Sequence, residues 1–235
     1  DSVAEPDYRV DIDALITAVR PETRLVFVVN PGNPSGTLIH NDEIRRLRES
    51  LDDDIILLVD EAYAEFVAAD FHQPLFDLAL SGNTVITRTF SKIYGLAGMR
   101  VGWGYFPDDI RDQVRKVLIP GSVTAVSQAA AVAAINDRES VRNALQLITT
   151  ERNYLEHEVA QLGYKVIPSH TNFVLVDFGS AETASLVFDR LRKNRLVVRP
   201  MAGYGLPHCL RITVSLAEHM HAVVQVLEAM GNTNR

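Results

Sequence analysis

Leu25-Val26-Phe27-Val28-Val29-Asn30 and Ile55-Ile56-Leu57-Leu58-Val59-Asp60 decide the fold of this 235-residue chain. Both are continuous apolar runs rich in β-branched residues, with no polar alternation. Strands buried on both faces of a parallel sheet read this way. Thr84-Val85-Ile86-Thr87 is a weaker third run. Between the first two, Asn41-Asp42-Glu43 opens a helix whose Ile44, Leu47 and Leu51 share one stripe. Strand, helix and strand in that order make a right-handed βαβ unit, and hence an α/β layer.

The pattern continues outward on both sides. Asp11-Ile12-Asp13-Ala14-Leu15 reads as a helix start. Residues 108–118 and about 123–162 read as helices, the second interrupted near Asn136-Asp137-Arg138. After Gly163 the texture changes: Phe173-Val174-Leu175-Val176, Leu196-Val197-Val198 and Leu210-Arg211-Ile212-Thr213-Val214 read as strands. Helices are expected from Glu182 to Asn194 and from Ala217 to Met230. The expected division is a large domain in 1–120, connecting helices in 121–162 and a smaller α/β domain in 163–235.

Composition narrows the function classes. An apolar share of 47% with 23% charged residues is that of a soluble globular protein. The 23 Lys and Arg against 30 Asp and Glu leave a net charge of −7, which argues against a partner bound by phosphate neutralisation. No nucleic-acid partner is expected. Cys209 is the single cysteine, so no internal disulfide can form and a reducing, cytoplasmic compartment fits. No apolar run approaches the roughly 20 residues of a membrane span, and residues 1–6 do not read as a signal peptide.

Chemistry concentrates where the strands end. The first runs into Asn30-Pro31-Gly32-Asn33-Pro34-Ser35-Gly36-Thr37, the second into Asp60-Glu61-Ala62-Tyr63, the third into Thr89-Phe90-Ser91-Lys92. Open α/β sheets bind ligands outside the carboxyl ends of their strands. Singly these clusters are an ordinary turn, a helix cap and a solvated lysine. In sequence they form a constellation. A strand ending in Asp-Glu also resembles the magnesium strand of P-loop ATPases, but Gly32 to Thr37 lacks the required lysine. No G-x-G-x-x-G follows the first strand, and Gly102-Trp103-Gly104 is only a misplaced fragment of one.

Asn30 to Gly36, Asp60 to Tyr63 and Thr89 to Gly102 together resemble the fold-type-I aminotransferases, which depend on pyridoxal 5'-phosphate. The segment Met201-Ala202-Gly203-Tyr204-Gly205-Leu206-Pro207-His208-Cys209-Leu210-Arg211 is similar to the histidinol-phosphate subfamily. The resemblance runs from about residue 20 to the C-terminus. It implies an α/β fold: the later, mainly parallel part of the large-domain sheet plus a smaller C-terminal α/β domain. Lys92 corresponds to the lysine that holds the cofactor as a Schiff base and shuttles a proton. Asp60 corresponds to the carboxylate that keeps the ring nitrogen protonated. Asn33 and Tyr63 correspond to the pair bonded to the ring's phenolic oxygen, and Thr89, Ser91 and Arg100 to the phosphate ligands.

Arg211 resembles the arginine that grips the substrate's anion: the glutamate carboxylate in one half-reaction, a phosphate in the other. By itself it is equally a strand arginine paired with a surface carboxylate. Arg199 and Tyr204 lie near it in sequence without an assigned role. The implied reaction is transfer of an amino group from a small-molecule donor to a 2-oxo acid, histidinol phosphate and 2-oxoglutarate first among them. An aromatic aminotransferase, a threonine-phosphate decarboxylase and a non-catalytic remnant stay open as alternatives.

The resemblance also implies a homodimer, and a preceding segment that supplies further sheet strands, a glycine-rich phosphate turn and stacking aromatics. Residues 1–24 hold none of these, so an exposed sheet edge is expected. No metal site is expected. His219 and His221 diverge on a helix, His157 and His208 have no evident ligand partners, and Cys209 reads as a small buried residue. Tyr94 and Trp103 read as packing residues.

Overall fold

Strands β1 (Leu25–Val29), β2 (Ile56–Asp60), β3 (Thr84–Thr89) and β4 (Gly102–Tyr105) form one sheet in that order. The computed structural model that places them describes residues 7–68, 71 and 74–231. β1·β2 and β2·β3 are parallel, and β3·β4 is antiparallel. Three helices line one face: α1 (Ile12–Ala18), α2 (Asn41–Glu49) and α3 (Phe76–Ser81). Asp11 caps α1 as its position suggests, its Oδ1 accepting from Ala14 N–H at 3.0 Å. In α2, the Glu43 carboxylate accepts from the His40 N–H just outside the first turn. Ile44 and Leu47 are fully buried against Val26, Val28, Leu57, Val59 and Ile86 of the sheet.

The opposite face departs from the expectation of double burial. Leu25 and Phe27 are 54% and 53% exposed. β1 is the end strand of the sheet among the described residues, with β2 as its neighbour there. Its continuous apolar run therefore marks two apolar faces, of which one is covered. β4 is a strand the sequence hides, because two of its four residues, Gly102 and Gly104, have low β-propensity. A Cβ on Gly102 would lie 2.7 Å from the Arg88 carbonyl oxygen, so this close antiparallel approach requires glycine.

On the packed face, Arg88 Nε and Nη2 donate to Glu61 Oε2 at 2.8 and 2.6 Å. The Glu61 carboxylate is fully buried. The guanidinium lies 5.6 Å from the ring centroids of both Phe76 and Trp103. Trp103 thus packs, as its sequence position suggests.

The second sheet contains β5 (Lys165–Ile167), β6 (Phe173–Asp177), β7 (Arg199–Pro200) and β8 (Cys209–Thr213) in the order β5-β6-β8-β7. All its pairings are antiparallel. The strand expected at Leu196-Val197-Val198 sits instead at Arg199–Pro200, two residues that face Arg211 and Leu210. Val197 is 89% exposed. Local β-propensity marked the approach to the strand, whereas the reach of β8 sets the ladder.

Helices α4 (Asp108–Val117), α5 (Ala125–Asn136), α6 (Arg138–Gln161), α7 (Ala181–Lys193) and α8 (Ala217–Gly231) complete the chain. The expected break falls at Asp137, whose carboxylate accepts from Ser140 N–H and Oγ–H. Leu155 and Val159 of α6, Val187 and Leu191 of α7, and Val223, Val224 and Leu227 of α8 bury Val174, Val176, Leu210 and Ile212.

The chain forms two compact units, 1–31 with 38–142, and 32–37 with 143–235. The boundary in the later half lies inside α6, between Arg142 and Asn143. The loop 32–37 joins the second unit through its backbone. Gly36 O accepts from His170 N–H at 2.8 Å. Gly36 has φ +80°, and a Cβ there would lie 2.5 Å from Ser169 Oγ.

Replacing Arg88 by alanine strips Glu61 of both guanidinium bonds and leaves a buried charge. A loss of about 3–5 kcal/mol in unfolding free energy by urea titration is expected. The Glu61→Gln/Arg88→Met double variant should recover most of that loss.

Candidate active site

The parallel register levels the carboxyl ends of the first sheet: Val29 lies beside Asp60, and Asp60 beside Thr87. Asp60 closes β2, and its Oδ1 accepts from Ala62 N–H at 3.0 Å, turning the chain toward Tyr63. Tyr63 is buried, 4% exposed, which fixes its ring. Lys92 lies in the turn after β3, with Nζ 4.9 Å from the Tyr63 ring centroid. Lys92 also acts electrostatically on Asp60. The structure therefore gathers Lys92, Asp60 and Tyr63 from two strand ends.

Thr89 and Ser91 form the turn that presents Lys92, with Thr89 Oγ1 accepting from Ser91 N–H at 3.0 Å. The β3·β4 ladder sets Thr89 opposite Gly102, and Phe90 N–H donates to Val101 O. Arg100 is thus carried back beside this turn. It ends the short helix Ala97–Met99 with φ +49° in the left-handed region. Its Nη1 donates to Ala97 O at 2.8 Å and its side chain is exposed. Two hydroxyls and an exposed guanidinium around one turn can receive a phosphate.

Burial raises the Asp60 pKa above the ordinary carboxylate value, against the lowering effects of the Ala62 N–H and the Lys92 charge. A half-desolvated carboxylate that retains one hydrogen bond favours a cationic N–H partner. A protonated ring nitrogen is such a partner, so the donor set fits pyridoxal phosphate.

In the second unit, Arg211 Nη1 donates to Asn33 Oδ1 at 2.5 Å. The Arg211 guanidinium carbon lies 4.6 Å from the Phe173 ring centroid, which holds the side chain over an apolar plate. Arg199 stands directly opposite Arg211 in the β7·β8 register and stacks 5.6 Å from the Tyr204 ring centroid. Two arginines facing each other across a ladder repel unless an anion lies between them. Arg199 had no assigned role in the sequence, where the strand expected at 196–198 concealed its register with Arg211.

Other residues fall where packing requires. Tyr94 stacks on Phe90, with ring centroids 4.9 Å apart, beside Val101 and Ala131. His219 Nδ1 meets Ser215 Oγ, while His221 lies against the Tyr154 ring, so the two histidines diverge as expected. A groove of about 890 Å³ between Leu80, Tyr105, Phe106, Arg111 and Leu118 holds none of the residues singled out above. The chemistry favours the strand ends over this groove. Among the described residues, no helix is long and apolar enough to cross a membrane.

The family model described as aminotransferase class I and II matches residues 2–227. A histidinol-phosphate aminotransferase of Rhodopseudomonas palustris is 42% identical over 226 residues, covering 95% of this chain and 62% of its own length. One from Granulibacter bethesdensis is 42% identical over 228 residues, 97% of this chain and 62% of its own. The crystal structure of the Sinorhizobium meliloti histidinol-phosphate aminotransferase in complex with pyridoxal-5'-phosphate superposes with a TM-score of 0.88 at 29% identity. It covers 99% of this chain and 64% of that one. The chain thus spans less than two thirds of the length of these relatives.

The raised pKa of Asp60 gives a stability test. Its favourable contribution is complete below the ordinary carboxyl value and is lost as pH rises through the folded value. Asp60→Asn keeps the Oδ1 acceptor and removes the charge. Without cofactor, the variant should melt above the wild type at neutral pH, and the gap should close on acidification.

Proposed function

Because this chain belongs to the class I and II aminotransferases, we propose that it performs the lysine-centred part of a pyridoxal-phosphate-dependent transamination. Histidinol phosphate would be the amino donor and 2-oxoglutarate the acceptor, giving imidazole-acetol phosphate and glutamate. The grouping of Lys92 with Asp60 and Tyr63 at the strand ends carries this reading. The names of the relatives support the choice of substrate. The activity is that of a protein of the relatives' full length, working as a homodimer in the cytoplasm. Residues 1–120 would supply part of its cofactor domain, and 163–235 most of its small domain.

Bound at this turn, pyridoxal phosphate would supply an electron sink conjugated to its protonated ring nitrogen. Lys92 Nζ would hold the cofactor covalently, give it up to the donor amine, and then carry the α-proton. Asp60 would keep the proton on the ring nitrogen. Tyr63 and Asn33 would bond the ring oxygen, which keeps the Lys92 linkage acidic enough to exchange. Thr89, Ser91 and Arg100 would anchor the phosphate. Arg211 would trade its bond to Asn33 for the substrate carboxylate or phosphate, with Arg199 as the second cation. Trading a preformed bond keeps the guanidinium aimed between turnovers.

The test is covalent trapping. Borohydride reduction followed by peptide mapping should place the cofactor on Lys92. Lys92→Ala should show no such adduct and no turnover with histidinol phosphate. Retained trapping in that variant would overturn the assignment. Arg211→Lys replaces a fork by a point charge, and should raise KM for glutamate and for histidinol phosphate alike. About 2 kcal/mol, or roughly thirtyfold, is expected for losing one charge-assisted bond.

A further inference from the structure

Asp177, His208 and Cys209 lie outside every contact described so far. Their donor atoms, a carboxylate oxygen, an imidazole nitrogen and Sγ, all fall within 4.8 Å of one another. The fold builds this convergence in two steps. Asp177 ends β6 and pairs in register with Cys209 at the start of β8, so carboxylate and thiol project from the same face of the ladder. His208 belongs to the turn just before β8 and is free of strand alternation, so its ring reaches the same spot as its neighbour's sulfur. The sequence gives no hint of this, because Asp177 and His208 are joined only by the antiparallel pairing.

The three donors lie near enough for one ion to draw them together. His208 Nε2 stands 3.9 Å from Asp177 Oδ2. Donors around a tetrahedral zinc stand about 3.3–3.8 Å apart, given bonds of roughly 2.0–2.3 Å, so small side-chain movements would close the site on the metal. Asp177 Oδ1 is oriented by the Gly179 N–H at 2.8 Å, the kind of outer contact that fixes a ligating carboxylate. Cys209 is fully buried, while the Asp177 and His208 side chains are 16% and 30% exposed. Solvent can therefore reach the side opposite the sulfur.

We propose that Asp177, His208 and Cys209 form a zinc-type divalent cation site, with water as the fourth ligand. A thiolate and an imidazole select a borderline-soft ion over magnesium or calcium. On binding, the Cys209 thiol releases its proton to solvent, so affinity rises with pH. The site ties the turn before β8 to the end of β6, two residues from Arg211 on the same strand.

Cobalt(II) is the probe. Cys209 is the single cysteine in the chain, so a thiolate-to-cobalt charge-transfer band reports this site alone. The full chain, freed of pyridoxal phosphate, should take up one equivalent of cobalt with that band and with the visible bands of a tetrahedral ion. Zinc should displace both. Asp177→Asn and His208→Asn, which alter partly exposed side chains, should each weaken zinc binding by about tenfold or more. Cys209→Ser should lose the charge-transfer band. Absence of the band at millimolar cobalt would overturn the proposal. So would a band unchanged in His208→Asn, or cobalt held without thiolate character at the other histidines.

Discussion

Everything chemical in the first unit depends on the parallel register of β1, β2 and β3. Because Val29, Asp60 and Thr87 stand level, three strands end at one edge and their turns open in the same direction. The second and third turns are each shaped by one local bond: Ala62 N–H to Asp60, and Ser91 N–H to Thr89 Oγ1. Hydrophobic burial of Val26, Val28, Leu57, Val59 and Ile86 under α1, α2 and α3 fixes the register, since a one-residue slip would turn that set to the wrong face. The carboxylate and the ammonium are thus positioned by aliphatic side chains they never touch.

Asp60 and Glu61 show how one peptide step separates structure from chemistry. Glu61 faces the packed side, where Arg88 neutralises it between two aromatic rings. Asp60 faces the other way, partly desolvated, with one backbone donor and Lys92 in electrostatic range. The charge of the first carboxylate is countered within the fold. The second is held in a state that a cationic ligand would complete.

Much of this was legible in the chain itself. The apolar runs, the caps at Asp11 and Asp137 and the polar clusters at the strand ends all carry local signals. Residues whose meaning arises from pairing were not legible. Glycine-rich β4 is a strand because Gly102 fits against Arg88 O, not because of β-propensity. β7 lies at Arg199–Pro200 because that is where β8 can pair. The assignment of loop 32–37 to the second unit follows from a backbone bond to His170, 134 positions along from Gly36 in the numbering. Such contacts join distant stretches, and no window of sequence contains both partners. Local periodicity reported the composition of β1 correctly but not the cover over its second face, which depends on what packs there.

The two faces of β1 differ in what a substitution would disturb. Val26 and Val28 pack beneath the helices, whereas Leu25 and Phe27 are 54% and 53% exposed among the described residues. Tolerance to change therefore alternates along this five-residue strand: shortening a side chain at 26 or 28 opens a cavity, while the same change at 25 or 27 opens none among the described residues.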